Sequence, residues 1–302
     1  MMSPDSLSML VCSVLGLVLA ISSNTCIVMS NLDIIRKKGK LSPSDVIFLG
    51  KGIVNILLQC LLSLQRMLDV LCQAISYIGA VNVFMNTSGC FLIYYNFWLT
   101  FWLSAHYCTS ITNLSYGFFI WIKRIVSNFL SHLLFLTALG VFPVSVLTNW
   151  AVSEGSHIQT YENSTGDSII NVSYHINVSY FMPANTLGVI LPFFLSLLCL
   201  VLTSSFLLRH VWRVKNNDSG STCPNLQAHV TALRTIFFLL LISTFFCGSL
   251  VGTVHYNSIT VFLNVLLFYP SAEAAIIFQA SNKLRRIILR RFWTRRRRNT
   301  ET

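Results

Sequence analysis

Charge is what this sequence has least of. Only 10% of its 302 residues are Asp, Glu, Lys or Arg, against about 25% in an ordinary soluble domain, whose water-facing surface needs them. Acidic residues are scarcest, 10 in the whole chain beside 21 Lys and Arg. No stretch is large and polar enough to form a separate soluble domain. The sequence also lacks the short signatures of hydrolytic and nucleotide chemistry: no H-E-x-x-H, no G-x-S-x-G and no Gly-rich phosphate loop. Its nine cysteines follow neither metal-ligand nor disulfide-framework spacing and read as small apolar packing residues. These absences speak against an enzyme and against a bound metal or cofactor.

What is abundant is apolar. Hydrophobic residues make up 54% of the chain and gather in long runs instead of alternating, the pattern of a chain whose solvent is lipid. A helix needs about 20 apolar residues to cross the hydrocarbon core. The first such run, Leu7 to Ser30, carries no charge; its length and the lack of a basic flank argue against a cleaved signal peptide. Six more follow at roughly 44–66, 83–111, 129–150, 183–208, 229–252 and 259–280. The expected fold is therefore an all-α membrane protein, a seven-transmembrane helix bundle over residues 1–280 with a cytosolic basic tail over 281–302. The second run contains Lys51 and ends at Arg66, and both can snorkel if they lie near the two interfaces.

The surplus of positive charge could point to nucleic acid, but its placement excludes that. Arg36, Lys37, Lys38 and Lys40, then Lys123 and Arg124, then Arg209, Arg213 and Lys215, then the Lys and Arg residues of the tail, all fall in alternate inter-helix segments. Of the 21 basic residues only Arg66 departs from one orientation. The positive-inside rule then puts the N-terminus outside, at the plasma membrane. The loop 151–182 contains no Lys or Arg and carries sequons at Asn163, Asn171 and Asn177, which can be glycosylated only on the lumenal side. In the tail, Leu284, Ile288 and Phe292 recur at helical spacing among arginines, predicting a short basic amphipathic C-terminal helix on the inner lipid surface. Membrane lipid is thus one expected partner.

An odd number of spans with no internal repeat argues against an inverted-repeat transporter. Few ionisable groups lie at membrane depth: Lys51, Glu273, expected to pair with a basic group near the cytosolic end, and Asp45, expected to cap the second helix. A receptor remains, and so few residues precede the first run that its ligand is expected to enter the bundle itself. Common seven-helix signals are missing, however. The third run ends without an Asp/Glu-Arg-Tyr triplet, the sixth has no proline, the seventh has no Asn-Pro-x-x-Tyr, and the loop 151–182 has no cysteine.

Other motifs are present. Lys40-Leu41-Ser42-Pro43-Ser44-Asp45 opens the second run. Tyr107, Asn113, Leu114 and Ser115 precede Phe119-Ile120-Trp121-Ile122-Lys123. Ala228-His229-x-x-Ala232-Leu233-Arg234 leads into Phe238-Leu239-Leu240-Leu241, and Tyr269-Pro270-Ser271 lies in the last run, followed by Lys283-Leu284-Arg285. Together these resemble the type 2 taste receptors, which detect bitter compounds, from the first helix into the tail. The sequence departs from that family's pattern at Asn55, Ser110 and Glu273-Ala274, where the family has Arg, Lys and His-Ser, and it reads as a divergent member.

The resemblance implies a G-protein-coupled receptor for small, mostly hydrophobic compounds. It implies signalling through a gustducin-like heterotrimeric G protein to phospholipase C and calcium. Family positions project the agonist site onto Gly89, Ile93, Tyr94, Asn96, Phe97, Phe246 and Leu263, an apolar and aromatic set. They project G-protein coupling onto Tyr107, Lys123, Arg124, His210 and Arg213. A vomeronasal type 1 receptor is the alternative, a non-signalling transporter a more distant one, and assembly into receptor oligomers is left open.

Overall fold

The computed structural model describes residues 4–71, 79–111, 117–153, 156–162, 168–174, 178–217, 224–256 and 259–280. Helix α1 spans Pro4–Lys38 and α2 spans Pro43–Leu71. The turn between them follows from its residues. Gly39 ends α1 at φ +67°, donating to Ile35 O at 2.8 Å, a left-handed conformation that favours glycine. Ser42 then caps α2: its carbonyl accepts from Val46 N and its hydroxyl from Asp45 N, while the same hydroxyl donates to the Asp45 carboxylate. Pro43 takes the first helical position, where no N–H is needed. The cap is therefore Ser42, not Asp45 as the sequence suggested; the Asp45 carboxylate, three residues on, accepts from the Ser42 hydroxyl.

Helix α3 follows at Gly79–Ile111, the short α4 at Gly117–Asn128 and α5 at Leu130–Ser153. The connection from α5 is not a plain loop. Strands β1 (Ser156–Glu162) and β2 (Ser168–Tyr174) pair antiparallel, with Gln159 opposite Asn171. This hairpin adds two strands to the connecting loop of an otherwise helical bundle, and alternating Ile170, Val172 and Tyr174 supply its strand periodicity. Helix α6 (Val178–Asn185) then runs through a π turn at Thr186–Ile190 into α7 (Leu191–Asn217). Helix α8 (Pro224–Tyr256) and α9 (Ile259–Ala280) complete the bundle.

Five segments are long and apolar enough to cross a membrane: Leu10–Lys38, Pro43–Leu68, Leu130–Thr148, Ser179–Arg209 and His229–Gly252. Their outward faces bear large apolar side chains such as Phe135, Phe194 and Phe245, each more than half exposed, as lipid-facing surfaces require. Helix α3 carries no charged residue but several Asn, Ser and Thr side chains. It contacts α2, α5, α7 and α8 at once, so buried residues occur all around it, and its Tyr94, Asn96 and Trp102 bond side chains of neighbouring helices.

Two apolar clusters fill the interior. One gathers Ile47, Leu99, Leu103, Leu239 and Ile277; the other gathers Leu58, Phe97, Phe246, Leu266 and Tyr269. Along α2, α3 and α9 the residues between them are polar: Lys51 and Asn55, Asn96, and Glu273. The tail 281–302, with its expected amphipathic helix, lies outside the described residues.

Candidate functional site

The polar layer is built around one ion pair. Lys51 Nζ lies 2.9 Å from Glu273 Oε1, and neither side chain is exposed at all. The expectation that Lys51 snorkels to an interface is corrected by this contact, while Glu273 does pair with a basic group, as expected, and that group is Lys51. Lys51 also donates to Asn96 Oδ1 at 2.7 Å and Asn96 O at 3.3 Å, which fills all three ammonium donors. The carboxylate is equally full. Beyond Lys51 it accepts from Tyr269 Oη at 2.8 Å, Asn96 Nδ2 at 2.7 Å and Asn55 Nδ2 at 3.2 Å. Asn55 continues to Asn24 Oδ1, and Asn24 Nδ2 reaches the carbonyl of Pro270 at 3.2 Å. Four helices, α1, α2, α3 and α9, are thus tied through groups whose hydrogen-bonding capacity is met, the condition under which a buried ion pair is tolerated in a low dielectric.

Three aromatic rings lie against this layer. Phe97 stacks on Tyr269 at 6.1 Å, and Phe246 packs against both at 5.3 Å. Tyr269 belongs to both assemblies, its ring among the aromatics and its hydroxyl on Glu273. A second α3 tyrosine fixes another junction. Tyr94 Oη bonds Thr148 Oγ1 at 2.8 Å and Asn185 Oδ1 at 3.2 Å, joining α3 to α5 and α6. Its ring lies over Gly188 in the π turn, so closely that a Cβ there would overlap it. The π turn and the glycine together let α7 approach α3.

The residues projected as an agonist site fall into distinct settings. Tyr94, Asn96, Phe97 and Phe246 are buried; Asn96 belongs to the ion-pair layer, and Phe97 and Phe246 to the aromatic cluster. Gly89 is buried against Leu61, 3.5 Å from where its Cβ would stand, and Ile93 is partly buried against the second apolar cluster. Leu263 lies on α9 with its side chain outside the described residues.

Of the coupling candidates, Tyr107 packs against the first apolar cluster, with its hydroxyl beside Ser44 and Asp45. Lys123 and Arg124 are exposed on α4. His210 and Arg213 continue α7, not a loop, and their side chains lie outside the described residues. Asn171 is a β2 residue, while Asn163 and Asn177 fall outside the described residues.

The sequence reading missed Asn24, Asn55 and Tyr269 as members of one network. Its signal was present as three asparagines in apolar runs, plus one Lys and one Glu in runs otherwise short of charge.

With this geometry in view, the comparisons with known proteins are decisive. A family model described as taste receptor protein (TAS2R) matches residues 1–296. The chain belongs to the taste receptor type 2 family. Taste receptor type 2 member 40 of Gallus gallus is 30% identical over 237 residues, covering 76% of this chain and 72% of the relative. Taste receptor type 2 member 7 of Papio hamadryas is 26% identical over 270 residues, covering 85% and 84%. Member 9 from the same species is 26% identical over 292 residues, covering 91% and 89%. This type 2 taste receptor is a membrane helical bundle and a G-protein-coupled receptor of bitter taste. In general terms it takes a small-molecule ligand and couples to a G protein.

Proposed function

We propose that this receptor sits in the plasma membrane, crosses it seven times with its N-terminus outside, and binds small, mostly hydrophobic bitter-type compounds in the outer half of its bundle. It signals through a gustducin-like G protein to phospholipase C and calcium. The one-sided distribution of basic residues supports the orientation. Lys51, neutralised inside the bundle, drops out of that argument, and the remaining cations still favour the same side.

Tyr269 carries the mechanism. Phe246, Phe97 and Tyr269 form one aromatic cluster, and the Tyr269 hydroxyl bonds the carboxylate of the Lys51–Glu273 pair. An agonist that moves Phe246 therefore perturbs a side chain bonded to the hub of four helices. Gly89, Ile93, Tyr94, Asn96, Phe97, Phe246 and Leu263 are the residues assigned to the agonist response, Asn96 and Phe97 acting through the network they hold. Tyr107, Lys123, Arg124, His210 and Arg213 are assigned to coupling, and Asn163, Asn171 and Asn177 to glycosylation. Burial of an apolar agonist contributes roughly 25 cal/mol per Å² before ordering costs.

The test is a panel of bitter compounds applied to cells expressing the full receptor, a gustducin-type Gα and a calcium reporter. At least one neutral, hydrophobic compound is expected to evoke a response absent from untransfected cells. A panel that is silent at verified surface expression counts against the agonist class.

A further inference from the structure

We infer that the flank between α2, α3 and α5 is a ligand site reached from the bilayer, shaped for a compact apolar molecule carrying one hydroxyl or carbonyl. The inference rests on the membrane-receptor reading above but not on the interior agonist site. A cleft of about 300 Å³ opens there, about twice the size of an apolar protein cavity that accepts benzene, so it suits a body of roughly two fused rings. Leu57 and Leu61 of α2 form one wall and Phe142 of α5 the other, with Phe91 and Leu92 of α3 behind. Phe91 is held in place, stacked on Tyr95 and edge-on to Phe142. Leu57 and Phe142 at the rim are each more than half exposed, on the face the bundle turns to lipid.

The remaining two lining residues are Thr87 and Ser88. Farther along the same helix, Thr100, Ser104, Thr109 and Ser110 each donate to a carbonyl three or four residues back, the usual way for a helix in lipid to satisfy a hydroxyl. Among the described residues Thr87 and Ser88 make no such bond. Two half-buried hydroxyls without a protein partner, in an otherwise apolar cleft, leave a polar requirement that hydrocarbon does not meet. An acyl chain fills the volume but not that requirement; a ring alcohol or ketone dissolved in the bilayer meets both. The cleft also touches the interior candidates, since Leu61 is the side chain facing Gly89, so an occupant bears directly on α3.

The experiment uses full-length receptor in phosphatidylcholine nanodiscs and two photoreactive probes, a diazirine-bearing decalin alcohol and its hydroxyl-free decalin twin. The alcohol is expected to label the segments holding residues 57–61 and 87–92. Thr87→Val and Ser88→Ala are each expected to reduce that labelling by about fivefold, the weight of one hydrogen bond. Filling the cleft with Leu57→Trp, a rim change on the lipid side, is expected to abolish it. Equal labelling by both probes overturns the site, since a groove solvated by hydrocarbon treats them alike. Loss of labelling when cholesterol is added overturns the assigned occupant in favour of a membrane sterol. Calcium responses of the same variants separate the two readings: bitter responses with no labelling leave the proposed function standing and remove the cleft, while labelling without responses does the reverse.

Discussion

Lys51 and Glu273 stand 222 positions apart in the chain and 2.9 Å apart in the fold, with no exposure of either side chain. Removing one partner strands the other charge in a low dielectric, which destabilises by about 3–5 kcal/mol, whereas replacing both with apolar groups of similar volume is often close to neutral. Lys51→Met and Glu273→Leu are each expected to lower surface expression and the thermal midpoint of the purified receptor. The double variant is expected to recover most of that loss. Additive losses in the thermal midpoint would show that the two residues act separately.

Gly188 and Tyr94 form a second coupled pair. A Cβ at Gly188 overlaps the tyrosine ring, and overpacking of this kind destabilises by about 1–3 kcal/mol. Gly188→Ala is expected to weaken the junction of α3 with α7, and Gly188→Ala with Tyr94→Leu to relieve the clash while giving up the bonds to Thr148 and Asn185. A Gly188→Ala loss as large in the Tyr94→Leu background as in the wild type rules out the ring as the obstacle.

Phe246 tests the route from agonist to network. Because it is buried between Phe97 and Tyr269, truncation to Ala also removes about 3–5 kcal/mol of packing, so Phe246→Leu is the cleaner variant. At matched surface expression it is expected to blunt agonist-evoked calcium release. Dose–response curves superimposing on wild type exclude Phe246 from the response.

Gly89→Trp probes the face of α3 beside the cleft. Its side chain has to displace Leu61, so the substitution alone is expected to reduce folding yield, and Leu61→Ala to restore it by making room. The agonist profile of the paired variant then reports on this face. A profile identical to wild type removes Gly89 from the ligand-sensing surface.

Orientation is open to a direct test. Epitope tags at the two ends are expected on opposite sides of the membrane, and Asn163→Gln, Asn171→Gln and Asn177→Gln are each expected to remove one glycosidase-sensitive step in gel mobility. Both tags on one side would contradict seven crossings.

The helices were the legible part of the sequence, because apolar runs of about 20 residues have few alternatives in lipid. Their ends were less so. The run 183–208 became Val178–Asn217 once α6, the π turn and α7 joined, since a helix continues past the hydrocarbon wherever its backbone bonds persist. The π turn leaves no periodic trace, and only its contact with Tyr94 explains Gly188. Lys51 was misread for a related reason. Its place near one end of an apolar run suggested an interface, but which way a side chain points depends on the rotation of its helix against neighbours distant in sequence. The hairpin had a readable signal in residues 168–174, eclipsed by the polarity and sequons of the loop around it.

The ion pair also sets an order of events during synthesis. Lys51 enters the bilayer with α2, long before α9 is made, and a lone charge within a span carries an insertion cost that reaches roughly 2.5–3.5 kcal/mol at the helix centre. Until the final helix is in place, Lys51 lacks its carboxylate partner and has only Asn96 to bond. Docking of the last span is then the event that neutralises the second helix.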